Sequence, residues 1–256
     1  SETRAKAVVV RKAGEPARVE EIVLSPPASG EVRVRMLASG VCHTDLHARE
    51  GHFGRSFPYL LGHEATAVVE AVGPGVESPA VGDTVMLSWR AHCGRCRFCL
   101  AGRLTHCERP VTAGERMHTD DGVALGRVLG LGTFATHSIV AAAQCVPVSP
   151  ELSPFATCLS GGGAGTGGGA AWFGARLGPG EAVSGFRGLD RLVRVPCVGA
   201  AWGAWLVGHG ETVAVFGCGA VGISVIQGAR LARAGRIIAV DRVEQKLAWA
   251  RQLGAT

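Results

Sequence analysis

No stretch of this 256-residue sequence approaches the roughly 18 consecutive apolar residues that a membrane-spanning helix needs. The amino terminus also lacks the hydrophobic core of a signal peptide, because the polar run Ser-Glu-Thr-Arg is followed only by a short apolar segment at 7–10. These absences predict a cytoplasmic protein that has no membrane partner.

Charge is scarce as well, since charged residues make up only 18% of the chain. Three lysines, Lys6, Lys12 and Lys246, stand among 26 basic residues that are scattered along the sequence, and the formal net charge is +5. Scattered charge favours a solvated surface over a nucleic-acid patch. The 47% of hydrophobic residues can fill a core, which excludes disorder of the whole chain.

Cysteine is more abundant, and four of the nine cysteines fall within one short loop. Their pattern is Cys93-x2-Cys96-x2-Cys99-x7-Cys107. Four thiolates from one loop are the ligands of a closed tetrahedral zinc site. A [4Fe–4S] cluster also uses four cysteines, and a zinc knuckle would bind nucleic acid, but Phe98 is the only aromatic residue in the loop for stacking a base. The pattern predicts a structural zinc.

A second cysteine, Cys42, and a histidine, His63, stand near the ends of two predicted strands. Cysteine and histidine are ligands typical of a catalytic zinc, which keeps one position open for substrate. Taken singly, a buried cysteine or histidine is more often structural. We expect Asp45 to accept a hydrogen bond from the His63 ring and to set its tautomer.

The predicted secondary structure changes along the chain. Up to about residue 150, short β-rich runs alternate with Gly/Pro turns, and this pattern predicts a β-barrel or sandwich. After residue 211, a strand at 212–216, a helix, a strand at 236–240 and a helix at 244–253 follow one another, which is the opening of a parallel α/β sheet.

The turn after the strand at 212–216 is rich in glycine. Gly217, Gly219 and Gly222 form a G-x-G-x-x-G pattern, and Asp241 ends the next strand. In this context the glycines let the backbone approach a pyrophosphate at a helix N-terminus. Asp241 would bind the ribose hydroxyls and repel a 2′-phosphate, so the turn predicts NAD as the cofactor in preference to NADP.

The middle of the chain contains an imperfect internal duplication. The segment Gly169-Ala-Ala-Trp172 recurs thirty residues later as Gly199-Ala-Ala-Trp202, and nine of eighteen positions match at that offset. A single duplication is favoured over a solenoid, because a solenoid needs three or more repeats.

Four motifs together resemble the zinc-dependent medium-chain alcohol dehydrogenase family. They are the run from Gly40 to Glu50, Gly62-His63-Glu64, the four-Cys loop, and the strand and turn at 215–222. Ser88-Trp89-Arg90-Ala91 looks most like the class III-type branch, which includes the mycothiol-dependent formaldehyde dehydrogenases (S-nitrosomycothiol reductases).

The resemblance implies roles for five residues around a catalytic zinc. Cys42 and His63 match zinc ligands, and Glu64 matches the carboxylate beside the zinc. Thr44 and His47 match a relay that carries the substrate proton to solvent.

The resemblance also implies the cofactor contacts and the fold. His43 would lie near the cofactor pyrophosphate, and Asp241 and Lys246 would contact the adenosine ribose. The implied fold class is α/β plus β, in which a GroES-like β-barrel catalytic domain precedes an incomplete Rossmann (doubly wound) domain with two strands present. The expected segments are the GroES-like domain at 1–155, a Gly/Ala-rich connection at 156–210 and the truncated Rossmann part at 211–256. A homo-oligomer is expected of the full-length family form.

One expected ligand is missing. The third catalytic cysteine of the family aligns with Gly162, which has no ligand atom, and Cys158 and Cys197 are out of register. Glu64 is the closest possible substitute. The sequence therefore predicts a weakly held catalytic zinc and alcohol oxidation that is slow or absent.

The motifs favour a zinc-dependent oxidoreductase that transfers hydride between NAD and an alcohol, or an aldehyde–thiol adduct such as S-hydroxymethyl mycothiol. An inactive or fragmentary dehydrogenase that keeps only the structural zinc is one alternative, and a zinc-containing binding module is another. Two zinc ions per chain rather than one would separate the first interpretation from the second.

Overall fold

The computed structural model describes residues 2–53, 57–165, 182–185, 210 and 212–256. The chain divides into two compact units, Ser1–Gly162 and Gly163–Thr256. The described part of the first unit is built mainly from short strands, and strands alternate with helices over residues 212–256 of the second. In the described part of the chain, no helix combines the length and the apolar character needed to cross a membrane.

Ten strands and three α-helices make up the described part of the first unit. The strands are β1 (Thr3–Val10), β2 (Arg18–Leu24), β3 (Glu31–Ser39), β4 (Tyr59–Leu60), β5 (Ala65–Val72), β6 (Thr84–Leu87), β7 (Met117–Thr119), β8 (Gly126–Arg127), β9 (His137–Ala141) and β10 (Cys145–Pro147). The helices are α1 (His43–Arg49), α2 (Arg97–Leu100) and α3 (Pro154–Leu159).

These strands form two five-stranded sheets, ordered β7-β2-β1-β4-β8 and β10-β6-β5-β3-β9. The predicted alternation along β3 is present, because Val32 and Val34 are buried whereas Arg35 is exposed. One hydrophobic core lies along β1 and β2, and another lies along β3, β5 and β6. The prediction of a β-rich first domain is confirmed.

The pairing of β3 with β5 determines where the candidate ligands meet. The two strands run antiparallel with Ser39 opposite Ala65. The residues that follow β3 and those that precede β5 therefore lie at the same end of the sheet. Helix α3 packs against β3 and β5, and Thr66 Oγ1 donates to the carbonyl of Pro154 at 3.1 Å.

The described part of the second unit contains a three-stranded parallel sheet, ordered β11-β12-β13, with two helices. Its elements are β11 (Ala182–Gly185), β12 (Thr212–Phe216), α4 (Ala220–Leu231), β13 (Arg236–Val240) and α5 (Glu244–Leu253). Buried residues of both helices and of β12 and β13 form its core, including Val213, Ile226, Ile237 and Ala250.

The expectation of two strands in this sheet was wrong, because β11 is a third. Strand β11 lies within residues 156–210, which were expected to be a connection. The Gly/Ala-rich composition of this stretch gives no clear alternation of apolar and polar residues. Ala182 pairs with Thr212 and the register continues in parallel to Gly185 and Val215. The paired residues are thirty positions apart, which is the offset of the internal duplication. The repeat was therefore the signal in the sequence that β11 resembles β12. The remainder of the duplication lies outside the described residues.

Candidate zinc centres and cofactor turn

The four cysteines of the loop at 93–107 converge, as their spacing predicts. Their sulfur atoms all lie within 4.8 Å of one another. The Sγ atoms of Cys96 and Cys99 are 3.4 Å apart, and those of Cys93 and Cys99 are 3.9 Å apart. Sulfurs bound to one tetrahedral zinc at about 2.3 Å are separated by about 3.8 Å. The cluster therefore has the size of a closed zinc site.

The loop is anchored by hydrogen bonds around its last cysteine. Arg90 Nη2 donates to the carbonyl of Cys107 at 3.0 Å, and the amide of Cys93 donates to the Cys107 sulfur at 3.3 Å. Backbone amides of Cys99 and Glu108 lower the pKa of Cys96 to about 6. The thiolate form that a metal needs is thus favoured at this position near neutral pH.

A second cluster forms where β3 ends and β5 begins. The ligand atoms of Cys42, His63 and Glu64 lie within 4.8 Å of one another. Cys42 directly precedes α1, and His63 and Glu64 directly precede β5. The register of β3 and β5 brings these two segments together, so distant parts of the sequence supply one donor set.

Asp45 holds the two segments of this cluster. Its Oδ1 lies 3.3 Å from His63 Nδ1 and accepts the amide of Gly62 at 2.9 Å, and its Oδ2 accepts the amide of Cys42 at 3.2 Å. The expected Asp45–His63 contact is present. It occupies Nδ1 and leaves Nε2 of the imidazole for a metal.

Cys42 and His63 form a hydrogen-bonded pair whose pKa values shift in opposite directions. Burial opposes the charged form of His63, but hydrogen bonds with Asp45 and Cys42 outweigh it and raise the pKa of the imidazole to about 9. Burial likewise opposes ionisation of Cys42, but hydrogen bonds with His63 and Thr44 lower the pKa of the thiol. The thiolate form of Cys42 is thus favoured beside His63, and a zinc ion would displace the proton of the imidazole when it binds.

The Glu64 carboxylate fills a space bounded by two glycines. A Cβ on Gly162 would lie 1.9 Å from Glu64 Oε1, and a Cβ on Gly40 would lie 2.4 Å from Oε2. The side chain of Glu64 is buried. The resemblance expects a thiol at position 162. The space that its side chain would fill is instead taken by a carboxylate oxygen of Glu64.

Of the two other thiols considered for this cluster, only Cys158 lies among the described residues, and its sulfur is not part of the cluster. Cys158 lies in α3 and its Sγ donates to the carbonyl of Phe155 at 3.2 Å. Burial raises the pKa of Cys158, and the charge of Glu64 raises it further. Cys197 lies outside the described residues.

Helix α1 carries the residues expected to move a proton. Thr44 is buried, and its Oγ1 lies 3.5 Å from the Cys42 sulfur. His47, three residues on and on the same helix face, has its ring centroid 5.0 Å from that of His43 and 5.2 Å from that of His52. Both of these neighbouring histidines are exposed. The helix therefore leads from a buried hydroxyl to imidazoles at the surface.

The glycine-rich turn joins β12 to α4 as predicted. Gly217 has φ +93°. A Cβ added to Gly222 would lie 1.8 Å from the carbonyl oxygen of Gly217. A Cβ added to Gly219 would have no other atom within 4 Å. These three glycines allow a tight turn, a close helix and an open backbone face.

Asp241 lies at the end of β13 beside this turn. Its Oδ2 accepts the amide of Cys218 at 2.7 Å, and its Oδ1 accepts the amide of Val243 at 2.9 Å. These hydrogen bonds, together with the charge of Lys246, lower the pKa of Asp241. The carboxylate, the glycine turn and the lysine are thus gathered at the carboxyl ends of β12 and β13, where parallel sheets bind ligands.

The chain is similar to known alcohol dehydrogenases. Residues 28–150 match the alcohol dehydrogenase GroES-like domain. The chain is 35% identical over 262 residues to an S-(hydroxymethyl)glutathione dehydrogenase of Synechocystis sp., covering 99% of this chain and 63% of that protein. It is 37% identical over 260 residues to a class-3 alcohol dehydrogenase of Myxine glutinosa, covering 98% and 61%.

Residues 28–150 belong to the alcohol dehydrogenase GroES-like domain family, and the whole chain is similar to zinc-dependent medium-chain alcohol dehydrogenases.

The fold agrees with this family. An alcohol dehydrogenase zinc-binding domain protein from Burkholderia ambifaria superposes with a TM-score of 0.81 at 32% identity, covering all of this chain and 64% of that one. The fold class expected from the resemblance, a GroES-like domain followed by a Rossmann part, is confirmed. The chain spans just over three fifths of the length of the curated relatives named above.

The assignment of individual residues to roles stays a prediction, as do the domain bounds at 155 and 210. Sequence reasoning missed Gly40 as part of the Glu64 surroundings. Nothing in the local pattern marks Gly40, because its partner Glu64 reaches it only through the pairing of β3 with β5.

Proposed function

We propose that the chain carries the chemistry of a zinc-dependent NAD oxidoreductase that acts on an alcohol or an aldehyde–thiol adduct. The observation that carries this proposal is the convergence of Cys42 and His63, with Asp45 bound to both segments, in the same unit as a four-thiol cluster. A closed site and an open site together are what such an enzyme requires.

The two clusters would have different tasks. Cys93, Cys96, Cys99 and Cys107 would hold a structural zinc, which closes the loop at 93–107 without taking part in the reaction. Cys42 and His63 would hold the catalytic zinc, which supplies a Lewis acid for the substrate oxygen when it is bound.

The protein would remove the substrate proton through α1. The buried Thr44 hydroxyl stands next to Cys42, where it can accept a hydrogen bond from the substrate hydroxyl and donate its own proton onward. His47, on the same helix face, would take up that proton and release it at the exposed rings of His43 and His52.

The second unit would orient the dinucleotide, which accepts the hydride when it is bound. The turn at Gly217, Gly219 and Gly222 would receive the pyrophosphate at the N-terminus of α4. Asp241 would bind the ribose hydroxyls, with Lys246 beside it. His43 is proposed as a further contact to the pyrophosphate.

The substrate class is proposed from the relatives. Relatives with 35% and 36% identity include proteins named S-(hydroxymethyl)glutathione dehydrogenase. A hydroxymethyl adduct of a low-molecular-weight thiol, such as S-hydroxymethyl mycothiol, therefore stands beside simple alcohols as a proposed substrate. A homo-oligomer in a reducing compartment such as the cytoplasm completes the proposal, since zinc-binding thiolates must stay reduced.

Zinc content and cofactor reduction test this function together. We expect two zinc ions per purified chain, and slow NADH formation with a simple alcohol or a formaldehyde–thiol adduct. Cys42→Ser should remove one zinc and abolish NADH formation, because it removes a ligand of the open site. Mass spectrometry of the native chain and absorbance of NADH are the measurements, and Cys145→Ser, a buried thiol outside both clusters, is the control.

Gly162 favours one alternative, a dehydrogenase remnant that keeps only the structural zinc. A single zinc per chain that Cys96→Ser removes, together with no NADH formation from either substrate, would support this alternative over the active enzyme.

A further inference from the structure

Helix α1 carries a row of histidines that belongs to neither metal cluster. His43 and His47 stand four residues apart in this helix, and His52 follows its end. We propose that these three histidines form a separate binding site for a divalent transition metal such as Ni²⁺, Zn²⁺ or Cu²⁺, and that a metal bound there blocks the release of the substrate proton. The site is independent of the proposed function, whereas the block rests on it, since His47 is the proposed proton carrier.

Helical spacing places His43 and His47 side by side. Residues four apart lie on the same face of an α-helix, and two histidines at this spacing bind zinc in other proteins. Their ring centroids are 5.0 Å apart. Two imidazoles bound to one tetrahedral metal through nitrogens at about 2.0–2.1 Å have their ring centres about 5 Å apart. The pair therefore already has the separation that a shared metal requires.

The end of α1 turns the chain back so that His52 lies against His47. Gly51 has φ +84°, a left-handed conformation that favours glycine, and its amide donates to the carbonyl of Ala48 at 3.0 Å. The amide of His52 donates to the carbonyl of His47 at 2.9 Å. These two hydrogen bonds form a Schellman motif. The backbone of His52 is thereby fixed beside His47, and the two ring centroids are 5.2 Å apart.

The three rings are accessible and offer nitrogen donors, with a carboxylate nearby. His43 and His52 are exposed, and His47 is half-buried. Glu50 Oε2 lies 3.9 Å from Nε2 of His52, while the other oxygen of Glu50 lies 3.8 Å from the guanidinium of Arg49. Imidazole is a ligand shared by zinc, copper and nickel, whereas calcium and magnesium prefer oxygen. The donor set therefore favours a transition metal.

This site is more open than the two clusters described above. In each of those clusters the ligand atoms all lie within 4.8 Å of one another, and among the described residues the three histidines do not form such a group. We therefore assign His43 and His47 as the first two ligands, completed by water. The exposed side chain of His52 supplies a third ligand by rotation. Binding should be reversible and weaker than the binding of zinc to the four-Cys loop.

A metal on His47 would stop the proposed release of the proton. A neutral imidazole has one nitrogen that can accept a proton, and the same lone pair binds the metal. A ring that ligates a metal therefore cannot take up the proton passed on by Thr44. The metal would also occupy His43, the proposed contact to the cofactor pyrophosphate. We expect an excess of a divalent transition metal to slow NADH formation reversibly.

Nickel binding to the untagged, zinc-loaded chain is the direct test. Equilibrium dialysis should show one Ni²⁺ ion per chain, taken up without release of zinc. His43→Gln and His47→Gln should each lower the affinity by about 100-fold, the low end of what a second linked ligand contributes, and His52→Gln should lower it less. His118→Gln, which changes a histidine of strand β7, is the matched control and should leave the affinity unchanged.

Paramagnetic broadening locates the metal in the original chain without any substitution. Nuclear magnetic resonance of the histidine ring protons, recorded with less than one Ni²⁺ per chain, should show broadened signals for His43, His47 and His52. The ring signals of His106 and His118, which lie in other elements, should be affected less. Broadening that spares the three histidines of this site overturns the proposal.

The remaining outcomes separate the site from its effect on the reaction. Nickel that binds His43→Gln and His47→Gln as tightly as the original chain overturns the site, and so does nickel uptake that releases zinc. Inhibition of NADH formation should reach its midpoint at the Ni²⁺ concentration that half fills the site. Nickel that fills the site without slowing NADH formation overturns the block. A chain that forms no NADH removes the proposed function and the block with it, while dialysis and broadening still decide the metal site.

Discussion

Asp45 is the buried side chain that organises the candidate metal cluster of Cys42, His63 and Glu64. Three groups, the ring of His63 and the amides of Gly62 and Cys42, converge on its two carboxylate oxygens. The carboxylate therefore sets both the orientation of the imidazole and the distance between the two ligand segments. A buried carboxylate with three partners also explains why the imidazole can hold positive charge there.

Asp45→Asn is expected to weaken the second zinc by about 10–100-fold, the usual cost of losing a carboxylate behind a ligating histidine. The amide has no negative charge to support the His63 ring, and it can present its NH₂ to the wrong partner. Chelator competition measures the effect. Asp83→Asn changes a turn carboxylate that accepts the amide of Ala80 and serves as the control. Unchanged zinc affinity in Asp45→Asn would contradict this role.

Cys96→Ser is expected to release the structural zinc and to loosen residues 90–115. Structural zinc binding contributes roughly 10–16 kcal/mol to folding in zinc-finger peptides, so its loss should be felt across the loop. Zinc per chain should fall by one, and hydrogen exchange of the loop amides should accelerate. Cys145→Ser provides the matched thiol removal, because Cys145 lies in neither cluster. An experimental structure in which the four sulfurs of this loop are far apart and exposed to solvent would contradict this prediction.

At the scale of elements, the strand–turn–helix from β12 to α4 explains its glycines individually. Gly217 has a positive φ, which a residue with a side chain rarely adopts. Gly222 lets α4 approach the carbonyl of Gly217, and Gly219 leaves a backbone face open. The three glycines of the G-x-G-x-x-G pattern thus meet three different steric requirements.

Gly222→Ala should destabilise the second unit, whereas Gly219→Ala should not. The new methyl group at position 222 would collide with the carbonyl oxygen of Gly217, and overpacking of this kind costs about 1–3 kcal/mol. The opening free energy of β12 and α4 amides, from hydrogen exchange, gives the comparison. Equal stabilities of the two variants would show that the helix can move away at no cost.

Asp241→Ser should narrow the preference for NAD over NADP. The carboxylate at the end of β13 repels a 2′-phosphate, and serine removes that charge while it can still accept one of the backbone amides now bound by Asp241. Titration of both cofactors into both proteins measures the change. Glu244→Gln, an exposed carboxylate in α5, is the control. An NADP affinity that does not rise in Asp241→Ser speaks against the assignment.

At the scale of the whole molecule, both metal clusters belong to the first compact unit, and the cofactor turn belongs to the second. Zinc should therefore contribute directly to the stability of the first unit. The second unit has a hydrophobic core of its own, formed by α4, α5, β12 and β13.

Removal of zinc by a chelator should therefore have unequal effects along the chain. We expect faster hydrogen exchange at the end of β3, the start of β5 and residues 90–115, and unchanged exchange in β12 and β13. Re-addition of zinc to the reduced chain should reverse the effect. A uniform acceleration over both units would mean that the units unfold as one cooperative body.

Local patterns could be read from the sequence because they need few residues. The spacing from Cys93 to Cys107 brings four thiols into one loop whatever the rest of the chain does, and Gly217 to Gly222 lie within one strand–turn–helix. The alternation of apolar and charged residues along β3 could be recognised for the same reason, because it depends only on which face of the strand is buried. Strand β11 escaped because its Gly/Ala-rich surroundings contain no comparable alternation.

The sequence by itself indicated the candidate metal ligands, the glycine turn and the resemblance to alcohol dehydrogenases, because each depends on side-chain chemistry at fixed spacing. Only the tertiary structure decided what stands in the empty place at Gly162. Gly40, Glu64 and Gly162 are far apart along the chain, and they meet because β3 pairs antiparallel with β5 while α3 packs across both strands. Contacts between distant segments arise from packing and register, which no local pattern contains.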